Sequence, residues 1–202
     1  MGKTTDNRKS VRYILIVLIL VIAAGAAVFI TAGLADRDDA ADRRQESGGA
    51  AMKPLEIDAS ESYAKKLYSC RVDDVDDTAA VVTLLETMGM ESVTGKYTAT
   101  ISTREGIRVL TLTVEEPVKQ GDKKVFDANM EICSQQLLAL IPSVDKVEWV
   151  CSISSGGAEE ESSTVSLDSA GATKQLTEDV KSYGSSASEF RKLLMLQAGA
   201  DE

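Results

Sequence analysis

The chain has 202 residues, a formal net charge of −10 and no histidine. Histidine general bases, histidine metal ligands and histidine pH switches are therefore excluded. The acidic balance and the 4% content of aromatic residues argue against nucleic acid as a partner, since phosphate binding needs clustered cations and base stacking needs aromatic platforms.

Residues 1–12 read as a short basic tail. Tyr13 to Ala35 follow, 23 residues with no charged side chain. At about 1.5 Å per residue, such a helix crosses a hydrocarbon core of roughly 30 Å with some tilt. A cleavable signal peptide has an apolar stretch of about 7–15 residues, so the uncleaved anchor is the preferred reading, although Gly33-Leu34-Ala35 resembles a cleavage site. No cysteine stands near the end of the run, which excludes a lipoprotein anchor, and the glutamate that opens a type IV pilin helix is missing. Lys3, Arg8, Lys9 and Arg12 precede the run with Asp6 as the single anion, whereas the residues after it carry net −13. The positive-inside rule then predicts a cytoplasmic N-terminus and an extracytoplasmic remainder.

Residues 36–59, rich in charge, Gly and Pro without apolar period, read as a linker. Alternation at Tyr68, Cys70 and Val72 predicts a short strand. Val81, Leu84, Leu85 and Met88 have helical spacing behind an acidic run, with Gly89 as the stop. Tyr97–Ser102 and Leu110–Val114 predict a hairpin turning at Arg104-Glu105-Gly106. Phe126, Met130, Cys133, Leu137, Leu140 and Ile141 predict an amphipathic helix ending before Pro142. Val147, Trp149, Cys151 and Ile153 predict a strand, and Val165 with Leu167 a short one paired back on it. Leu176, Val180 and Tyr183 predict a helix closed by Gly184. Ser186 and Glu189 form a capping box ahead of a last helix. The sum is an α+β fold: a transmembrane helix, then a βαββαβ ferredoxin-like domain over residues 60–198 with an added strand, C-terminal helices and a tail at 199–202. The expected sheet order is 4-1-3-2.

Few residues suggest chemistry. Cys133 lies on the apolar stripe of its helix and reads as a small hydrophobe. Cys70 and Cys151 fall on strands that the expected topology makes adjacent and antiparallel, so a disulfide between them is geometrically possible outside the cytoplasm; two unpaired core thiols are the alternative. Asp73, Asp74, Asp76 and Asp77 lack the glycine that a calcium loop needs at its sixth position, occupied here by Thr78, and helix capping is the preferred reading. Glu159-Glu160-Glu161 reads as a solvated turn, and Trp149 as core packing. No nucleophile elbow, phosphate loop or dinucleotide fingerprint is present. No catalytic residue, cofactor or metal is expected.

Several stretches together resemble the bacterial domain of unknown function numbered 4825: Leu67-Tyr68, Leu84-Leu85 with Met88-Gly89-Met90, Thr98 to Thr103, Gly106 to Leu110, Gln136 to Ile141, Val144 to Trp149, Lys181 to Gly184 and Ser188 to Leu194. Family members often show Pro-Tyr-Gly before the second hairpin strand, where this chain has Thr103-Arg104-Glu105-Gly106. The resemblance implies a Gram-positive (Firmicutes) surface protein with one membrane helix, and an accessory or sensing role beside membrane proteins such as metallopeptidases. It carries no catalytic residues across. The expectation is a single-pass, membrane-anchored, extracytoplasmic binding or regulatory domain, in contact with the lipid bilayer through residues 13–35 and with a membrane-protein partner. An envelope hydrolase using carboxylates, or a structural assembly component, is the alternative.

Overall fold

The computed structural model describes residues 28–30, 51–155 and 161–199. Its centre is a mixed sheet. Tyr97–Arg104 (β2) and Ile107–Val114 (β3) form the expected hairpin, antiparallel from Tyr97 opposite Val114 to Arg104 opposite Ile107. Its turn is the two-residue loop Glu105-Gly106, and both have positive φ, 53° and 82°. That is the backbone twist a tight hairpin needs, and glycine supplies it without strain. Lys146–Ser154 (β5) lies parallel to β3, with Leu112 opposite Trp149. Val118–Lys119 (β4) resumes the line of β3 beyond Glu115–Pro117 and pairs with the far end of β5. Glu161–Asp168 (β6) runs antiparallel along the other side of β5. Val28–Ile30 (β1) lies antiparallel to β2, opposite Ile101 to Ala99.

The helices are Glu61–Ser69 (α1), Thr78–Thr87 (α2), Met90–Thr94 (α3), Lys123–Leu140 (α4), Ser169–Gln175 (α5) and Ala187–Gln197 (α6), with a 3₁₀ turn at Ser182–Gly184. Besides Glu61–Ser69, three begin at side-chain caps. Asp77 accepts from Ala80 N at 3.1 Å, Asp168 from Gly171 N, and Ser186 Oγ from Glu189 N at 3.1 Å. Each satisfies one of the amides that a helix start leaves without an internal partner.

The α+β class holds, but the ferredoxin-like topology does not. Tyr68 and Ser69 are the last turn of α1, Cys70 is its C-cap, and no strand forms over 68–72. Ser60 caps that helix through Tyr63 N, and Ala64 and Leu67, three residues apart, are its buried face. Without a first strand, β2, β3, β5 and β6 are successive neighbours, in place of the 4-1-3-2 order. The helix expected over Leu176–Tyr183 is displaced: α5 ends at Gln175, and only the 3₁₀ turn forms near Tyr183. Residues 51–59, expected as linker, are docked. Met52, Leu55, Ile57 and Ala59 pack against the core, and Arg191 Nε donates to Ala59 O at 3.0 Å. The anchor expected over 13–35 lies outside the described residues, save Val28–Ile30, which are strand rather than helix. Among the described residues no helix is long and apolar enough to cross a membrane.

Helix α4 is the buried axis of the molecule. Its apolar residues Phe126, Met130, Cys133, Leu137 and Leu140 are inaccessible, and so are Ser134 and, nearly, Asn129, Gln135 and Gln136 on its other sides. Ser134 Oγ accepts the indole N–H of Trp149 at 2.9 Å, which fixes α4 on the Trp149 face of the sheet. At the far end, Lys181 Nζ donates to Leu138 O at 2.8 Å, Ile141 O at 3.2 Å and Val144 O. Burial pushes this ammonium down to about 8, against the pull of Asp145 and Asp179. In exchange it ties off carbonyls that the helix end cannot satisfy itself.

Gly184 touches the same helix. A Cβ built there would lie 1.8 Å from Ala139 O, a backbone atom that cannot swing away. Gly184→Ala is therefore expected to cost about 3 kcal/mol, the range of a severe overpacking change. Urea unfolding checks this, and a loss well below about 1 kcal/mol would show that the 3₁₀ turn repacks freely.

Candidate functional site

The docked segment 51–58 and the N-terminal half of α4 build a recess. Asn129, 3% exposed on α4, accepts from Leu55 N at 2.8 Å and donates to Lys53 O at 3.0 Å. Its amide thus pairs with the segment's backbone as a neighbouring strand would. Asp122 Oδ1 accepts from Met52 N at 3.1 Å. Between this strap, the end of α3 and β4 runs a cleft of about 520 Å³. Lys53, Glu56, Glu116, Lys119 and Asp122 line it, together with residues 92–95 and 117–118. Gly95, with φ 74° and ψ −162°, closes α3 and turns the chain into β2, a conformation essentially reserved for glycine. The cleft mixes both charge signs with the apolar side chains of Met52, Leu55 and Val93. It suits an extended polar chain better than a compact apolar molecule. A smaller recess of about 350 Å³ lies beyond α3, lined by Glu86, Glu91, Lys96 and Tyr97. Burial, then Glu86 and Glu91, push the Tyr97 phenol up to about 12, so it serves there as a neutral hydroxyl.

The sheet face turned away from α4 carries an ion cluster. Thr100, Thr111, Glu148 and Ser166 stand in one row across four strands. Glu148 is nearly buried; Arg104 Nη1 meets its Oε2 at 3.0 Å and Lys146 Nζ its Oε1 at 2.8 Å. Thr111 Oγ1 adds a long bond of 3.4 Å. Burial raises the Glu148 pKa, but the Lys146 bond and the Arg104 charge outweigh it and hold the carboxyl below its ordinary 4.5. A general acid needs the opposite shift. This cluster is therefore a charged patch on a hydroxyl-rich face, built from Thr98, Thr100, Thr113, Thr164 and Ser166 around it.

The residues singled out in the sequence are dispersed. The three cysteines are free thiols. Cys70 caps α1 and lies 3.5 Å from Thr87 Oγ1, whereas Cys151 is opposite Ser163 in the sheet. The strand adjacency that a Cys70–Cys151 bond required does not exist. Burial pushes Cys133 up to about 12 and raises Cys151, which keeps both as unreactive thiols. Of the aspartates before α2, Asp77 caps the helix as expected, Asp74 accepts from Asp76 N, and Asp73 pairs with Arg71. Asp76 and Asp74 flank Arg108 at 2.6 and 3.7 Å, so the acidic run is tied to the start of β3. Glu159 and Glu160 lie outside the described residues, and Glu161 opens β6. Trp149 is fully buried, as its alternation predicted. Sequence reading missed the strap and Asn129. Their signal was there: Leu55, Ile57 and Ala59 alternate, and Asn129 interrupts the apolar stripe of α4.

Compared with protein-family models, with curated proteins and with solved structures, the chain matches none.

Removing the Asn129 amide leaves the strap's backbone without partners. Asn129→Ala is expected to cost about 1–3 kcal/mol and to make the bonds around Lys53 sensitive to protease; unchanged cleavage there would show that apolar contacts alone hold the strap. Glu148 gives a pH prediction. Its folded pKa is depressed, so its stabilising contribution is complete above the unfolded value near 4.5 and disappears as pH falls through the lower folded value. Urea midpoints of the parent should therefore fall faster below pH 4.5 than those of Glu148→Gln; parallel acid limbs would remove Glu148 from the balance.

Proposed function

We propose that this chain is a single-pass, membrane-tethered binding or sensory domain on the outer face of a Gram-positive envelope, contacting its partner through the cleft beside the strap. The observation that carries the reading is the 23-residue uncharged run at 13–35 with four cations before it and net −13 after it. Length and charge asymmetry together favour a spanning helix with the N-terminus inside. The domain supports the reading in two ways. Its cleft offers mixed charges to an extended chain. Its buried carboxylate Glu148 is held ionised by two cations rather than poised for proton transfer. The resemblance to the 4825 family is part of the same proposal, and implies a regulatory role beside another membrane protein. A tether raises the local concentration of such a domain near membrane partners without any added contact.

The experiment is protease treatment of intact cells that carry the full-length chain with an N-terminal tag. Arg37, Arg43 and Arg44 follow the run, so external trypsin should release everything beyond them and leave a tagged, carbonate-resistant stub in the membrane. A chain fully protected in intact cells, or washed off by carbonate, would contradict the proposal.

A further inference from the structure

Strand β2 borders the sheet opposite β6, and its cover is meagre. It has eight residues. Among the described residues, only Ala99, Thr100 and Ile101 face a neighbour on the outer side, namely Ile30, Phe29 and Val28 of β1. Among the described residues, Tyr97, Thr98, Ser102, Thr103 and Arg104 have no strand beyond them. An open edge of this length is a template for another strand, and proteins usually blunt it with proline, lysine or an inward charge. β2 has no such device between Tyr97 and Thr103, and its only charge is Arg104 at the tip. Its side chains alternate between buried Tyr97, Ala99 and Ile101 and half-exposed Thr98, Thr100 and Ser102. The edge therefore selects for backbone, and opposite buried Tyr97, Ala99 and Ile101 for uncharged neighbours.

The strand that now sits there comes from inside the apolar run. A residue cannot give its amide both to β2 and to the i→i−4 ladder of a spanning helix, and hydrocarbon tolerates no unpaired amide. The two placements of Val28–Ile30 exclude each other. With Ala35 at the outer end of a spanning helix, Ile30 would lie about 8 Å down the helix axis, beyond the reach of a sheet outside the bilayer.

We propose that the outer edge of β2 is a strand-acceptor site: Val28–Ile30 fill it when the apolar run is outside the bilayer, and with the run inserted it takes an extended, uncharged, β-branched strand from a partner protein. The bound strand runs antiparallel to β2 in the register that Val28-Phe29-Ile30 display, with main-chain bonds giving affinity and Thr98, Thr100 and Ser102 giving fit. This inference rests on the membrane reading above. Insertion of the run and exposure of the docking edge then become one event, so only the anchored molecule recruits.

The test is hydrogen exchange on the full-length protein in phosphatidylcholine–phosphatidylglycerol nanodiscs. The probe is a peptide of sequence Ala-Ala-Val-Phe-Ile-Thr-Ala, that of residues 26–32, with two lysines appended for solubility. The run 13–35 reports insertion by its own protection, and residues 97–104 report the edge. The inference expects a protected run and outward β2 amides exchanging at least about tenfold faster than those of β3, which is paired on both sides. Added peptide should slow them about tenfold, and the same peptide with proline in place of its phenylalanine should not. A protected run with a β2 edge already slow, or with an edge indifferent to the peptide, overturns this inference and leaves the membrane reading standing. An unprotected run overturns both.

Discussion

The C-terminal half of helix α4, residues 133–140, is buried on every side, with Asn129 buried ahead of it, and that constraint organises the molecule. A buried apolar face needs only to be covered. A buried polar group must be paired, or it costs about 1–3 kcal/mol. Helix α4 carries four such residues in eight positions, and each recruits a different part of the chain. Asn129 holds the strap through Lys53 and Leu55. Ser134 takes the Trp149 indole from β5. Gln135 bonds Gln175 at the end of α5, and Gln136 bonds Gln197 at the end of α6. Gln197 also reaches Gln135 and Ile132 O, and Gln175 reaches Glu131. Lys181 completes the set at the C-terminus. The helix thereby specifies the placement of the strap, the sheet and both C-terminal helices, which a purely apolar helix would leave degenerate.

The same constraint decides where a ligand can meet the domain. Commitment of α4 to the Trp149 face leaves the Glu148 face and the sheet edges to other uses. Fixing the strap over Asn129 leaves a cleft along its free side, next to the short strand β4. The cleft is lined by side chains of both charge signs, and the Glu148 face by small hydroxyls. Two charged sets lie on the domain: Glu148 with Arg104 and Lys146, and Arg108 with Asp74 and Asp76.

Much of the fold was legible in the sequence. The 3.6-residue period of Phe126 to Ile141 gave α4. The alternation of Val147 to Ile153 gave β5, and the Glu105-Gly106 pair gave the hairpin. Ser186 with Glu189 marked the start of α6. Each of these signals is long or carries turn chemistry. The failures came from short windows. Tyr68, Cys70 and Val72 alternate over only five positions, a pattern that a helix end and its exit also satisfy, while the Ser60 cap and the Ala64–Leu67 step went unread. Leu176, Val180 and Tyr183 have helical spacing, yet Gly184 packs against Ala139 O and Lys181 is drawn to the end of α4, so tertiary contact set that backbone. The site was less legible than the fold. Asn129 gains its meaning from residues more than seventy positions away, and no local pattern records such a partner. The cysteine pairing failed for the same reason, since it inherited a strand that does not form.

The central claim is that the polar contacts of α4 bind strap, sheet and C-terminal helices into one cooperative unit. Native-state hydrogen exchange across a urea series measures this directly. The account predicts that amides in α4, β5 and α6 exchange with one common free energy, equal to that of global unfolding, and converge on it with the same urea dependence. A separate opening of the segment from α5 to α6, at a free energy well below the global value while α4 and β5 stay protected, would contradict it.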